Sequence, residues 1–165
     1  MDNSVRTSAK AIIIDCGRLL TIKCVDDGGT PFYLLPGGGQ NHEESITDAL
    51  IRECREEIGV TVLPGDLRYV RDYIERNHEF SHRNKDFHQV EFMFVCRIDG
   101  DNEPRTGHIP DTWQNGVEWL DLDRIAEYAL YPKILKELIT PTGELTGPVY
   151  LGDVTNPSKR KITFP

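Results

Sequence analysis

The run from Gly38 to Val60, GGQNHEESITDALIRECREEIGV, constrains this chain more than any other segment. Pro36 and three successive glycines, Gly37, Gly38 and Gly39, end any regular element and let backbone approach a ligand closely. Ser45 and Asp48 then have capping-box spacing, and Gly59 stands where a helix C′ residue belongs. The expected helix runs from about Ile46 to Ile58. On a wheel of about 100° per residue with Glu53 at zero, Glu56 and Glu57 fall at about −60° and +40°. The three carboxylates therefore share one face. Ile51, Cys54 and Ile58 form a neighbouring apolar stripe that can pack on a sheet, and the small Ala49 leaves room on the acidic side. Clustered carboxylates raise one another's pKa values. Arg52 and Arg55 point away from the acidic centre on this wheel, so a hard divalent cation is the better compensation. Mg²⁺ and Mn²⁺ take oxygen ligands and keep water and substrate phosphate in their shell.

The rest of the chain reads as short strands around that helix. Lys10–Asp15 and Leu19–Val25 are strand-like and separated by a turn at Gly17-Arg18, which predicts a hairpin. Phe32–Leu35 runs into the glycines. Leu67–Ile74, Val90–Ile98 and Val117–Leu120 follow the helix as further strands. Asp121–Ala129 begins a helical segment that Pro132–Leu138 continues or restarts. A Gly- and Pro-containing tail occupies about 140–165, with a short strand at Val149–Leu151. The order is β-β-β-α-β-β-β-α, an α/β chain with a mixed sheet and helices packed on it. The hairpins favour antiparallel pairs.

Bulk properties narrow the function classes. The chain has 165 residues, which suits one domain spanning 1–165. No apolar run is long enough for a bilayer, and MDNSVRTSAK has no signal-peptide stretch, so the expected location is the cytoplasm with no membrane partner. A net charge of −8 argues against non-specific nucleic-acid binding, which needs a basic footprint. It leaves room for a small phosphorylated ligand, because bound metal reverses the local field. Cys16, Cys24, Cys54 and Cys96 form no C-x-x-C pair and read as buried free thiols.

The acidic segment resembles the Nudix box, G-x5-E-x7-R-E-U-x-E-E-x-G-U, where U is a bulky aliphatic. Gly38, Glu44, Arg52, Glu53, Glu56, Glu57, Gly59 and Val60 match, and Cys54 departs at the first U position. The strand order, Glu118-Trp119-Leu120 and Leu130-Tyr131-Pro132 extend the likeness over most of the chain. The resemblance implies the Nudix fold, a mixed β-sheet sandwiched between α-helices (α/β/α). It implies a Nudix pyrophosphohydrolase that cleaves the diphosphate linkage of a nucleoside triphosphate, nucleotide sugar or ADP-ribose type of molecule by water attack on phosphorus.

Mg²⁺ or Mn²⁺ would be held by Glu53, Glu56, Glu57 and the Gly38 carbonyl, with Glu53, Glu56 and Arg52 as the catalytic set and Glu44 as support. The general base is Glu53 or one of Glu91, Glu103, Asp111 and Glu118. Substrate contacts are expected from Arg83, Lys85, Glu91 and Asp111, and Phe80, Phe87 or Trp113 could stack on a base. The stretch Glu75–His88 reads more readily as a solvated hairpin tip, and His78, His82 and His88 fit no common metal spacing. Ser158–Lys161 reads as a frayed tail. Two alternatives share the fold: a catalytically inactive nucleotide-binding or regulatory module, and an isopentenyl diphosphate isomerase-like enzyme. Homodimers are common among such domains.

Overall fold

The structure is a computed structural model that describes residues 4–78 and 87–153. Nine strands of the described residues form two mixed sheets. The first has the order β1 (Arg6–Ile12), β6 (His88–Ile98), β5 (Val62–Ile74), β9 (Tyr150–Gly152). The second runs β2 (Ile14–Asp15), β3 (Arg18–Val25), β4 (Pro31–Leu34), β8 (Leu130–Tyr131), with β7 (Gln114–Asp121) also paired to β3.

Side chains alternate across these strands, and each face buries its own cluster. Ala9, Ala11, Ile22, Phe32 and Phe94 pack with Leu50, Cys54 and Ile58 of helix α1 (Ile46–Ile58). Ile12, Leu19, Tyr33 and Met93 pack with Leu122, Ile125, Leu135 and Leu138 from the chain's later helical turns. The strands therefore lie between two helical layers, the α/β/α arrangement expected. No helix of the described residues is long and apolar enough to cross a membrane.

Three local expectations change. The predicted first hairpin is mostly a different pairing: β1 runs parallel to β6, from Arg6↔Gln89 to Ile12↔Val95, and only Ile14–Asp15 pairs antiparallel with β3. The outer edge of β1 is taken by the glycine loop, where the Ala11 N–H donates to Pro36 O and the Ala9 N–H to Gly38 O, both at 2.9 Å. The strand expected at Leu67–Ile74 starts at Val62, because a register irregularity between Pro64 and Leu67 absorbs the Pro-Gly break. The expected second helix is a 3-10 turn at Leu122–Glu127 and one α-turn, α2 (Leu135–Leu138). Between them Leu130–Tyr131 is extended because it pairs in parallel with Tyr33–Leu34.

Candidate functional site

Helix α1 is fixed at both ends. Ser45 is the N-cap and its Oγ accepts from the Asp48 N–H at 3.1 Å, while Gly59 ends the helix in the left-handed region at φ 68°. Its last carbonyls are not left to water. The N–H groups of Ile109, Gly107 and Arg105 donate to Glu56, Glu57 and Ile58 O, each at 3.0 Å, and Gln114 Nε2 adds a bond to Glu57 O at 2.7 Å. The loop after β6 is thereby clamped onto the acidic end of the helix.

The buried face of α1 differs from the expected stripe. Ala49, Leu50, Cys54, Glu57 and Ile58 are buried, whereas Ile51 is only partly so. Leu50 and Ala49 rotate the core face toward Glu57, so Ala49 fills the core instead of leaving space beside the acids. Glu57 is carried inside with 4% exposure, and its Oε2 accepts from the Gly37 N–H at 2.7 Å. Burial is the main cause that pushes its pKa up to about 7; Lys10 and the Gly37 N–H oppose the shift, and Glu53 and Asp111 add to it.

Arg52 also departs from the wheel. It does not point away but binds inward, with Nε on Glu44 Oε1 at 2.8 Å, Nη1 on Glu53 Oε1 at 2.6 Å and on Glu56 Oε2 at 3.2 Å, and Nη2 on Gly39 O at 2.8 Å. A long flexible side chain crosses its own helix face to reach carboxylates that its Cα direction does not address. The Arg52 hydrogen bond, followed by the Asn41 N–H, lowers the pKa of Glu44. Arg55 does lie apart and donates to Thr61 Oγ1 at 3.0 Å.

The glycines make this packing feasible. A Cβ on Gly37, at φ 125°, would stand 2.1 Å from Ala9 O, and one on Gly38 would stand 2.5 Å from the Glu53 carboxyl carbon. Between loop and helix lies a cleft of about 470 Å³, lined by the three glycines, by Glu53, Glu56 and Glu57 of α1, and by Arg6, Ser8, Lys10 and Gln89 of the strands. Its donor set is oxygen-rich and has no thiol or imidazole, which suits a hard cation. Among the described residues no three acidic, histidine or cysteine side chains stand grouped at metal-holding spacing. Arg52 ties one oxygen each of Glu53 and Glu56, and Gly37 ties one of Glu57. Among the described residues the other oxygen of each carboxylate has no hydrogen bond, so the donor set suits a divalent ion by its chemistry, while the three side chains are not drawn together around one point.

Next to the cleft is a second cavity of about 260 Å³, walled by Phe32, Tyr73, Phe87, Trp113 and Tyr131 together with His78. Among its polar lining residues is the buried pair of Arg71 and Glu91, which face each other in register across β5 and β6, with Gln89 Nε2 on Glu91 Oε1 at 2.8 Å. Lys10, Gln89 and Asp111 line both spaces.

Of the expected substrate residues, Asp111 stands at that junction and Glu91 lies inside the ring-lined cavity, held by Arg71. Phe87 and Trp113 line the cavity. Glu118 pairs instead with Lys23 at 3.2 Å, and Glu103 lines a separate surface groove. Phe80, His82, Arg83, Lys85 and Ser158–Lys161 lie outside the described residues. His88 sits 3.6 Å from Asp72, and His78 packs on Tyr73 at 4.6 Å between ring centroids. Cys24, Cys54 and Cys96 are buried, but Cys16 is exposed in the β2–β3 turn, where its φ is 47°. Arg6, Ser8, Lys10, Arg71 and Gln89 carry no motif. The available signal for the first three is the alternation of polar 6, 8 and 10 with alanines 9 and 11.

Comparison with known proteins agrees with this architecture. The NUDIX domain family matches residues 5–139. A MutT NUDIX hydrolase from Burkholderia pseudomallei is 28% identical, with 73% of this chain and 85% of that one covered at a TM-score of 0.57. Two further structures resemble it in fold: a NUDIX hydrolase from Nitrosomonas europaea (19% identity, 81% and 85% covered, TM-score 0.64) and an ADP-ribose pyrophosphatase from Streptococcus suis (19%, 78% and 81%, 0.54). No curated protein matches the sequence closely enough to count as a relative. A match that runs from the first strand through α2, across the capped acidic helix and the glycine loop that holds it, makes this chain a member of the NUDIX hydrolase family.

Proposed function

We propose that the protein is a divalent-metal-dependent pyrophosphohydrolase that cleaves the diphosphate linkage of a nucleoside diphosphate derivative by attack of water on phosphorus. The observation that carries this reading is that the two spaces adjoin: the acidic cleft and the ring-lined cavity share Lys10, Gln89 and Asp111. A cavity of about 260 Å³ lies just below the ~300–1,000 Å³ of sites for drug-sized ligands. It therefore suits one ring system, with the diphosphate extending into the cleft.

Glu53, Glu56 and Glu57, with the Gly38 carbonyl, would hold Mg²⁺ or Mn²⁺. Such an ion, when bound, polarises phosphate oxygens and lowers the pKa of a coordinated water. The chain's own part is positioning. Arg52 fixes Glu53 and Glu56 through paired hydrogen bonds and is itself held by Glu44 and Gly39 O. The proton of the attacking water passes to a carboxylate that the ion leaves free: Glu53 where Glu56 and Glu57 hold the ion, or Asp111 where the two spaces adjoin. The aromatic walls stack the ring and exclude water from its faces.

The test is a panel of nucleoside triphosphates, nucleotide sugars and ADP-ribose incubated with Mg²⁺ or Mn²⁺, read by phosphorus NMR in ¹⁸O-water to locate the attacked phosphorus. Glu56→Gln removes one ligand charge and should lower turnover at least about 100-fold, since metal-borne charge stabilisation is worth several kcal/mol. Near-normal rates in that variant, or tight binding of the panel without turnover by the wild type, would overturn the hydrolase reading.

A further inference from the structure

Strand β1 places Arg6, Ser8 and Lys10 on one face by its two-residue alternation, and all three line the cleft that Glu53, Glu56 and Glu57 also line. Ser8 is 1% exposed, and its Oγ has no hydrogen-bond partner among the described residues. A buried hydroxyl in that state is uncommon in folded proteins and marks a place where a partner is missing. Lys10 Nζ donates to Gly37 O, which fixes the ammonium at the mouth of the ring-lined cavity and leaves it further donors. Gly39 makes room for Arg6, since a Cβ there would come within 2.9 Å of Arg6 Nη2. The Arg6 guanidinium also stands 5.6 Å over the Phe87 ring.

A diphosphate entering this cleft meets the carboxylates of α1 and Asp111, which repel it. Two cations and a hydroxyl donor from β1 in the same cleft give its oxygens a favourable place to rest. We propose that the β1 face of Arg6, Ser8 and Lys10 is the phosphate-holding wall of the site, with Lys10 on the phosphate nearest the ring, Ser8 donating to a non-bridging oxygen, and Arg6 closing the rim. The inference rests on the diphosphate reading above and adds specificity-determining residues to it.

The probe is inorganic pyrophosphate, titrated calorimetrically into the full chain at fixed Mg²⁺, alongside steady-state kinetics on whichever panel member the wild type hydrolyses. Lys10→Met should weaken pyrophosphate binding about tenfold or more, and Ser8→Ala and Arg6→Gln about three- to tenfold. KM should rise by similar factors while kcat changes less than about threefold, the pattern of lost uniform binding. Lys10→Arg should recover most of the affinity, and added salt should weaken pyrophosphate binding more in the wild type than in Lys10→Met, which a purely structural role for Lys10 would not predict.

Should Lys10→Met fail to fold because its bond to the glycine loop is lost, Arg6→Gln on the exposed rim and the near-isosteric Ser8→Ala decide the question. Wild-type affinity in folded variants, or no pyrophosphate binding by the wild type, overturns the proposal. The two readings fail separately. A wild type that binds pyrophosphate through these residues but hydrolyses nothing sinks the enzyme and keeps the wall; normal kinetics in all the variants does the reverse.

Discussion

Glu57 is the residue at which fold and chemistry conflict most directly. Its carboxyl is buried in the core face of α1, and burial pushes its pKa from 4.5 up to about 7. The charges that bear on it are Lys10, which favours ionisation, and Glu53 and Asp111, which oppose it. A raised acid pKa means that the folded state keeps its proton while the unfolded chain has already lost it. The associated stability is fully present below about 4.5, is lost as pH rises, and is gone above about 7, where the folded protein holds a buried anion. The full effect is on the order of 3 kcal/mol. Metal-free wild type should therefore melt progressively lower from pH 5 to pH 8 relative to Glu57→Gln, and Mg²⁺ should shrink that difference by supplying the missing positive charge. Glu44, whose pKa is shifted down, contributes with the opposite sign but equally in both proteins. Parallel melting curves for the two proteins would refute this account. Gly38 makes a second residue-level case. The atoms that a Cβ there would meet are the end of the Glu53 side chain, which can swing away at small cost in stability. Gly38→Ala should accordingly leave the melting temperature within a few degrees of wild type yet cut turnover at least about tenfold by displacing the Glu53 carboxylate. A thermal melt run beside a rate assay separates the two effects.

At the scale of elements, α1 depends on its ends. Ser45→Ala removes the N-cap acceptor and should cost about 1 kcal/mol, measurable by urea unfolding. Gly107→Ala should cost more, because its Cβ would stand 2.1 Å from Glu56 O and force the clamping loop off the helix terminus. These ends were legible in the sequence: cap, periodicity and terminal glycine are local signals, and the helix runs from Ile46 to Ile58 as expected. The strands near the helix were legible as strands but not in partner, and β1 and β5 begin at Arg6 and Val62, ahead of the expected Lys10 and Leu67. The β1–β6 pair joins residues far apart in the chain, and no local pattern announces a parallel partner. Arg52 was misread for a related reason: a wheel records where Cα–Cβ points, not where a long side chain ends. The Arg71–Glu91 pair depends on cross-strand register, and the phosphate-facing side of β1 depends on what folds over it. Neither was readable from residue types alone.

The whole molecule extends past the part that the family match covers. That match ends at residue 139, yet the described chain after it is bound into the fold. Leu151 is 4% exposed within the second cluster, and β9 adds to the edge of β5 at Val70 and Arg71. Thr146 O accepts from the Tyr69 hydroxyl at 2.7 Å, the Thr146 N–H donates to Leu138 O at 2.8 Å, and Arg68 Nη2 reaches Leu145 O at 2.8 Å. A chain ending at Thr140 would lose the burial of Leu151, about 2 kcal/mol, and would leave the Tyr69 hydroxyl without its acceptor at a further cost of about 1 kcal/mol or more. In a domain of this size that corresponds to a fall of roughly 10 °C in melting temperature. The loss should also reach function at one end of the site. Arg71, the base of the ring-lined cavity, sits on β5 where β9 pairs, whereas the acidic helix and β1 make none of these contacts. Truncation should therefore raise KM for ring-bearing substrates several-fold at a temperature where the shortened chain is still folded, and leave pyrophosphate affinity close to wild type. An unchanged melting temperature would show that the segment only lies on the domain. Equal losses for both ligands would show that it supports the site as a whole instead of the cavity alone.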